Sequence, residues 1–219
     1  MSDRNGLWIG LAVAAVLLCF GGGAGAVMMG GYLSGSATDG KSPTVPRTPV
    51  GELMTASPQQ PTPKQVTVTV AAPAKLGNRP RITDAEHTTT ADEVTATLKG
   101  DRRVTTAVAA YYGTPDPKKD KVYLVAMTIS TPMPKSEFEG TFAAITTQVG
   151  LGAMTDVADT EPGPLGGLAR CGNLKVQEMP VAACGWADEG SFGVIVWYNK
   201  TLIQVKAQFI PLRAEVEKA

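Results

Sequence analysis

Residues 179–198 read MPVAACGWADEGSFGVIVWY, and this stretch decides the fold. Two apolar runs, residues 179–187 and 192–198, lie on either side of the polar residues Asp188, Glu189 and Gly190. Strand-forming runs joined by a short Gly-containing segment are typical of a β-hairpin. The stretch therefore predicts two antiparallel strands joined by a tight turn.

Further elements are predicted on the N-terminal side of this hairpin. Capping boxes at residues 90–93 and 136–139 predict helices that end at Gly100 and Gly150. Asp101 precedes apolar residues at positions 104, 107, 108 and 111, a spacing that predicts another helix ending at Gly113. The nearly unbroken apolar run at residues 122–129 predicts a central strand, and residues 153–160 and 168–176 predict two more.

Residues 201–217 predict the last helix, which contains Pro211. Helices followed by consecutive strands favour the α+β class. We therefore expect residues 83–219 to form one domain with a mostly antiparallel sheet and helices on one face.

The N-terminal region predicts a membrane anchor. Residues 7–33 carry no charge and exceed the roughly 20 residues that a transmembrane helix needs, which leaves residues 1–6 as a short cytoplasmic tail. The run Ala24-Gly25-Ala26 also fits a signal-peptidase site, so a secreted protein released after Ala26 is an alternative. We expect the anchor to be embedded in membrane lipid, which is then its partner. Small residues four apart permit a homodimer through this helix, at Gly6/Gly10, Gly21/Gly25 and Ala26/Gly30.

Residues 34–82 have the composition of a linker. They hold half of the chain's 16 prolines together with many Thr, Ser and Gln residues, and they contain too little apolar bulk to form a core. Proline favours extended backbone, so this segment predicts a semi-stiff spacer. The run QVTVTVA at residues 65–71 is an exception, because its Val/Thr alternation suits an edge strand.

Two cysteines lie in the predicted domain. Cys171 and Cys184 fall on neighbouring predicted strands, and outside the cytoplasm we expect them to form a disulfide. Two buried free thiols or a catalytic cysteine are alternatives, although His87 is the single histidine that could act as a base. A zinc site would need more ligands than these residues supply. The cysteines and the short N-terminal tail both favour an orientation in which the domain lies on the non-cytoplasmic side of the membrane.

Composition and motifs argue against most kinds of chemistry. The formal net charge is zero, which excludes a global field that would attract nucleic acid. No nucleotide, serine-hydrolase or zinc-protease motif occurs. Asp156, Asp159 and Glu161 lie close together, but their spacing does not match a calcium loop. The aromatic residues that could line a ligand groove or fill the core are Tyr111, Tyr112, Trp186, Trp197 and Tyr198. We therefore assign no catalytic, cofactor or metal residue.

Three features of the chain carry a resemblance to one group of bacterial proteins. They are Cys171, the run ACGWAD at residues 183–188 and the run GVIV at residues 193–196. The chain resembles the single-pass, Gly/Ala/Thr-rich membrane proteins of high-GC actinobacteria that carry a Pro-rich spacer and a small outward domain. The resemblance implies a cell-envelope location and supplies no catalytic residues. We expect a membrane-anchored extracytoplasmic module that binds or scaffolds an envelope protein or polymer. The alternatives are an envelope enzyme acting on a polymer through carboxylates, and the secreted protein described above.

Overall fold

The computed structural model describes residues 68–147, 154–176 and 178–219. This part of the chain contains three helices and ten strands. The helices are α1 (Ala85–Leu98), α2 (Lys135–Thr147) and α3 (Leu202–Val216). The strands are β1 (Thr69–Val70), β2 (Lys75–Leu76), β3 (Arg79–Pro80), β4 (Val104–Gly113), β5 (Lys121–Ile129), β6 (Thr155–Asp159), β7 (Leu168–Val176), β8 (Met179–Ala187), β9 (Ser191–Tyr198) and β10 (Glu217–Lys218).

Six of these strands form one antiparallel sheet in the order β4-β5-β9-β8-β7-β6. The predicted hairpin is confirmed, because β8 and β9 pair up to Ala187↔Phe192 and the Asp188 amide donates to the Ser191 carbonyl (3.0 Å). The strands predicted near residues 122–129, 153–160 and 168–176 are β5, β6 and β7. The α+β class and the antiparallel sheet are therefore confirmed.

Helices cover both faces of the sheet, so the expectation that they lie on one face is wrong. Alternate residues of β5 belong to different cores: Tyr123 and Val125 pack with α1 and α2, whereas Val122 and Leu124 pack with α3. Every position of β5 and β9 is buried. Strands without polar alternation are those that are covered on both faces, and this is the physical reason for the difference.

Residues 104–113 form the edge strand β4, so the helix predicted after Asp101 is wrong. The run VTTAVAAYYG is rich in β-branched and aromatic residues, which favour a pleated surface. Pairing with β5 decides between the two structures. Tyr111 stacks on Tyr123 with 4.2 Å between ring centroids, while Tyr112 packs in the core on the other face.

The first two helices begin at residues other than the predicted capping boxes. α1 begins at Ala85, and its N-cap is Asp84, whose carboxylate accepts from the His87 amide (3.1 Å). Thr90 therefore lies inside α1, where its hydroxyl donates to a backbone carbonyl one turn earlier. α2 begins at Lys135, so Ser136 also lies within its first turn. α3 begins directly after Thr201, as predicted.

Among the described residues, Thr69 and Val70 are already part of a strand, before the predicted linker boundary at residue 82. β1 pairs with β10 through Val70↔Glu217, and β2 pairs with β3. Leu76 is 0% exposed in the core beneath α3. Residues 69–82 therefore pack on the domain, and the Val/Thr run of the linker supplies strand β1.

The predicted cytoplasmic tail (residues 1–6), the anchor (residues 7–33) and residues 34–67 of the linker lie outside the described residues. Within the described ranges, none of the helices combines the length and the hydropathy that a membrane crossing requires. The anchor accordingly stays a prediction from the sequence.

Candidate functional site

The loop of residues 161–167 (EPGPLGG) lies against α3. Arg213 donates from Nη1 to the carbonyl oxygens of Pro162 (2.6 Å) and Gly166 (3.0 Å). Gly163 has a φ of +94° and comes so close to α3 that a Cβ there would lie 3.0 Å from Ile210. Hydrogen bonds and close packing therefore both fix the loop on the helix.

The same guanidinium binds two buried carboxylates. Arg213 Nε lies 2.6 Å from Glu217 Oε2, and Nη2 lies 2.7 Å from Asp188 Oδ2. The side chains of Arg213, Asp188 and Glu217 are 3%, 7% and 0% exposed. The Ser191 hydroxyl lies 2.8 Å from Glu217 Oε1 and 3.2 Å from Asp188 Oδ2, and it accepts a hydrogen bond from Trp186 Nε1 (3.1 Å). The polar groups of this network are therefore bonded to one another inside the protein.

The two carboxyl groups have pKa values that move in opposite directions. Burial opposes ionisation of Asp188, but hydrogen bonds from Glu217, from the amides of Gly190 and Ser191, and the charge of Arg213 outweigh it and lower the pKa of Asp188. Burial, together with the hydrogen bond to Asp188, raises the pKa of Glu217. Of the two carboxylates that share Arg213, Glu217 is the one that takes up a proton first as the pH falls.

An apolar cavity of about 240 Å³ lies between this loop and the C-terminal part of α3. Its apolar lining comes from Pro162, Pro164, Leu165, Ile210, Ala214 and Ala219, and its polar side chains are Arg213, Glu217 and Lys218. The Arg213 and Glu217 groups are already bonded to each other, so the cavity suits an apolar group better than a polar one.

A second buried charge lies beneath α1, on the opposite face of the sheet. Lys121 is 1% exposed, and its Nζ lies 3.2 Å from the Pro115 carbonyl oxygen and 3.3 Å from His87 Nε2. His87 Nδ1 in turn lies 2.8 Å from Asp84 Oδ1. Lys121 and His87 are buried, whereas the Asp84 side chain at the edge of this cluster is 42% exposed.

The predicted disulfide is present between Cys171 and Cys184. The two residues lie directly opposite each other on β7 and β8 and are 2% and 0% exposed in the core beneath α3. Bonded sulfurs supply neither a thiolate nucleophile nor a zinc ligand. The alternatives of two free thiols, a catalytic cysteine and a zinc site therefore do not apply to this pair.

The predicted acidic cluster lies at an exposed edge of the sheet. Asp156 accepts from the Asn173 amide group (2.9 Å), and Asp159 lies 2.6 Å from Arg170 Nε. Glu161 is exposed at the start of the loop over α3. Among the residues that the structure describes, no group of three acidic, histidine or cysteine side chains is placed to hold a metal ion.

The aromatic side chains that could have lined a groove lie in the two cores. Each of them is at most 2% exposed: Tyr111, Tyr112, Trp186, Trp197 and Tyr198. Trp197 and Tyr198 point to opposite faces, as expected of neighbours in a strand, and both are buried because both faces are covered.

Sequence reasoning missed the Arg213, Asp188 and Glu217 network, although α3 carries a signal for it. Val205, Phe209, Arg213 and Glu217 are spaced four residues apart, so the buried stripe of α3 continues into two charged residues, Arg213 in the last turn and Glu217 at the C-cap. Charged side chains at buried positions require partners. This spacing predicts an internal ion pair, but it does not reveal the partner Asp188 on the hairpin turn.

No family model matches the chain, and neither the curated proteins nor the solved structures compared with it give a match. A function for the domain must therefore be inferred from the chemistry of the cavity and of the buried charges.

Proposed function

We propose that the chain is a membrane-anchored binding module of the cell envelope whose folded domain binds an apolar group in the cavity beside α3. The observation that carries this proposal is the apolar lining of the cavity. Arg213 bonds the loop and the helix to each other, so both walls exist before a ligand arrives. A preformed site binds with a smaller loss of conformational entropy than one that must be ordered by the ligand.

The size of the cavity limits what it can accept. Pockets for drug-sized ligands have volumes of roughly 300–1,000 Å³, and this cavity is smaller, at about 240 Å³. We expect a single apolar side chain or a short alkyl group as the occupant, carried by an envelope protein or polymer.

The proposed location draws on the sequence and on the disulfide. Residues 7–33 have the length and composition of an anchor, and a disulfide is typical of proteins outside the cytoplasm.

Protease added to intact cells should cleave the domain. Protection in intact cells with cleavage after lysis would contradict the orientation. A mature chain beginning at Val27, measured by mass spectrometry, would instead support secretion.

Methyl NMR with hexanol as the probe tests the cavity. In the detergent-solubilised full chain, hexanol should shift the methyl signals of Leu165 and Ile210, which line the cavity. Ala214→Trp should abolish these shifts because the indole would fill the space. Ala207→Trp is the matched control, since both alanines are exposed on α3 about two turns apart. Unchanged shifts in the Ala214 variant would contradict binding at this place.

One observation favours a second candidate, an envelope enzyme that acts on a polymer through carboxylates. Two carboxyl groups with pKa values displaced in opposite directions are typical of acid–base pairs, and Glu217 lines the cavity. Both groups, however, are bonded to Arg213 and Ser191 inside the protein, which favours a structural role for them.

Glu217→Gln separates the two candidates. Under the binding proposal the variant retains the hexanol shifts, and neither it nor the wild type releases soluble fragments from purified envelope polymer. Release by the wild type that the variant abolishes would support the enzyme and overturn the proposal of binding without catalysis.

A further inference from the structure

The outer side of α3 carries an apolar stripe. Its members fall within about 60° of one another around the helix axis, and they are Ile203, Ala207, Ile210 and Ala214. Ile203 is 93% exposed, which makes it the most exposed large apolar side chain in the described part of the chain. Ala207 and Ala214 are also exposed, and Ile210 is partly buried. Most of the stripe therefore faces away from the core.

The stripe leads into the cavity described above. Ile210 and Ala214, at one end of the stripe, line the cavity together with the 161–167 loop. Ile203 lies at the other end, about 17 Å away along the helix. Single apolar residues on a surface need no explanation, whereas a contiguous apolar surface is typical of an interaction site. The stripe and the cavity together form such a surface.

The order of large and small side chains makes the stripe complementary to itself. Ile203 and Ala214 lie equally far from the midpoint between residues 208 and 209, and so do Ala207 and Ile210. If a second copy of α3 packs antiparallel across this midpoint, each isoleucine of one copy faces an alanine of the other. Packed helices interdigitate by placing large side chains opposite small ones. The pairing is isologous, because a two-fold axis relates the two copies.

This pairing places Ile203 of the second copy over Ala214, which lines the cavity. A cavity of about 240 Å³ suits one apolar side chain better than a larger ligand. We propose that Ile203 of a second copy of this chain occupies the cavity in an antiparallel α3–α3 dimer, and that the two-fold axis fills both cavities in the same way. The inference rests on the proposed function and names the source of the apolar group that the cavity binds.

The dimer is weak in solution and gains from attachment to a membrane. Stable interfaces bury roughly 1,200–2,000 Å², and one pair of short helices contributes less than that. Under the anchoring proposal, two chains in one membrane have a raised effective concentration. A two-fold axis can stand perpendicular to the membrane, so both chains can be anchored on the same side.

Disulfide trapping in the full chain tests the pairing. In a Cys19→Ala background, the native disulfide is the only other pair of cysteines. Ile203→Cys and Ala214→Cys chains with tags of different mass are reconstituted together in liposomes and oxidised. The mixture should give the 203–214 cross-link. Each variant alone should give at least about tenfold less product, because identical positions of the two copies lie about 17 Å apart along the helix axes, too far for a disulfide.

The mixed dimer keeps one native contact, because Ile203 of the Ala214→Cys chain still faces Ala214 of the other chain. Absence of the 203–214 product, as expected if lipid or another protein covers the stripe, would overturn the proposal. Equal yields from the mixture and from either variant alone would also overturn it.

A bulky residue at the middle of the stripe separates this inference from the proposed function. Ala207→Trp, added to both cysteine variants, should lower the yield of the 203–214 product by roughly tenfold or more, since an indole cannot pack opposite Ile210. The cavity is left intact, so the hexanol shifts of Leu165 and Ile210 should remain. Ala96→Trp is the matched control, because Ala96 is an exposed alanine on α1, on the other face of the sheet.

The outcomes distinguish the two proposals. Hexanol shifts in the wild type without a 203–214 product would overturn the dimer and leave the binding function in place. Equal loss of product in Ala207→Trp and Ala96→Trp would overturn the assignment of α3 as the interface. Absence of hexanol shifts in the wild type would contradict the cavity as a binding site, and the inference would fail with it.

Discussion

Replacement of Arg213 by methionine is the most direct test of the buried charge network. Methionine retains an unbranched apolar stem but lacks the guanidinium. The change removes the hydrogen bonds to Glu217 and Asp188 and those to the carbonyl oxygens of Pro162 and Gly166. The variant therefore leaves two carboxylates without a cation and frees the loop that forms one wall of the cavity.

The magnitude follows from the burial of these groups. Removing one partner of a buried ion pair costs about 3–5 kcal/mol of unfolding free energy. We expect a loss in the upper half of that range, about 4–5 kcal/mol at pH 7.5, because two carboxylates that are at most 7% exposed lose their cation. Such a loss approaches the total stability of many domains, about 5–15 kcal/mol.

The loss should depend on pH. Arg213 lowers the pKa of Glu217, so without it the already raised pKa of Glu217 rises further, and the folded variant binds more protons than its unfolded chain. Stability then increases as the pH falls, because protonation is linked to folding. The difference from the wild type should therefore be smaller at pH 5.0 than at pH 7.5.

Urea unfolding of the full chain in detergent, followed by tryptophan fluorescence, measures both effects. Arg103→Met is the matched control, because Arg103 also pairs with two carboxylates, Asp101 and Glu137, but its side chain is 32% exposed. Solvent screens ion pairs that are only partly buried, so we expect a smaller loss, of about 1 kcal/mol. Equal losses in the two variants, or an Arg213 effect that does not change with pH, would refute the reasoning.

Glu217→Gln should alter the pH dependence of stability. Folding raises the pKa of Glu217, so the wild type loses stability as the pH rises through the raised value. Between pH 4.5 and pH 7.5, the urea midpoint of the variant should therefore change less with pH than that of the wild type. Replacing Cys171 and Cys184 together by alanine should lower the free energy of unfolding by about 3 kcal/mol, the loop-closure entropy for a separation of 13 residues. Thermal unfolding measures this loss, and an unchanged midpoint temperature would contradict it. Gly193→Ala should lower the free energy of unfolding by about 1–3 kcal/mol, because a Cβ would lie 2.2 Å from the Trp186 ring. The near-ultraviolet circular dichroism signal of this tryptophan should also change.

Much of the fold follows from local sequence patterns that fit either a helix or a strand clearly better than the other. The hairpin around Asp188 combines two strand-like runs with a short turn, and α3 combines an N-cap at Thr201 with a helical stripe. β4 was mispredicted because its apolar residues fit both periodicities. Pairing with β5, which stacks Tyr111 on Tyr123, decides the structure, and such pairing cannot be read from the edge strand alone.

The candidate site could be anticipated only in part. Arg213 continues the buried stripe of α3 and Glu217 follows it at the C-cap of the helix, a spacing that indicates an internal ion pair. Their partner Asp188 lies 25 residues from Arg213, and the Pro162 carbonyl lies 51 residues away. These contacts exist because the C-terminal end of α3 lies against both the hairpin turn and the 161–167 loop, and no local pattern encodes that packing.

Glu217 connects the cavity to the point where the chain enters the domain. Its side chain binds Arg213, while its backbone belongs to β10 and pairs with Val70 of β1. Thr69 and Lys218 pair next to them, and Lys218 also lines the cavity. Under the anchoring proposal the cavity therefore lies at the tethered end of the domain.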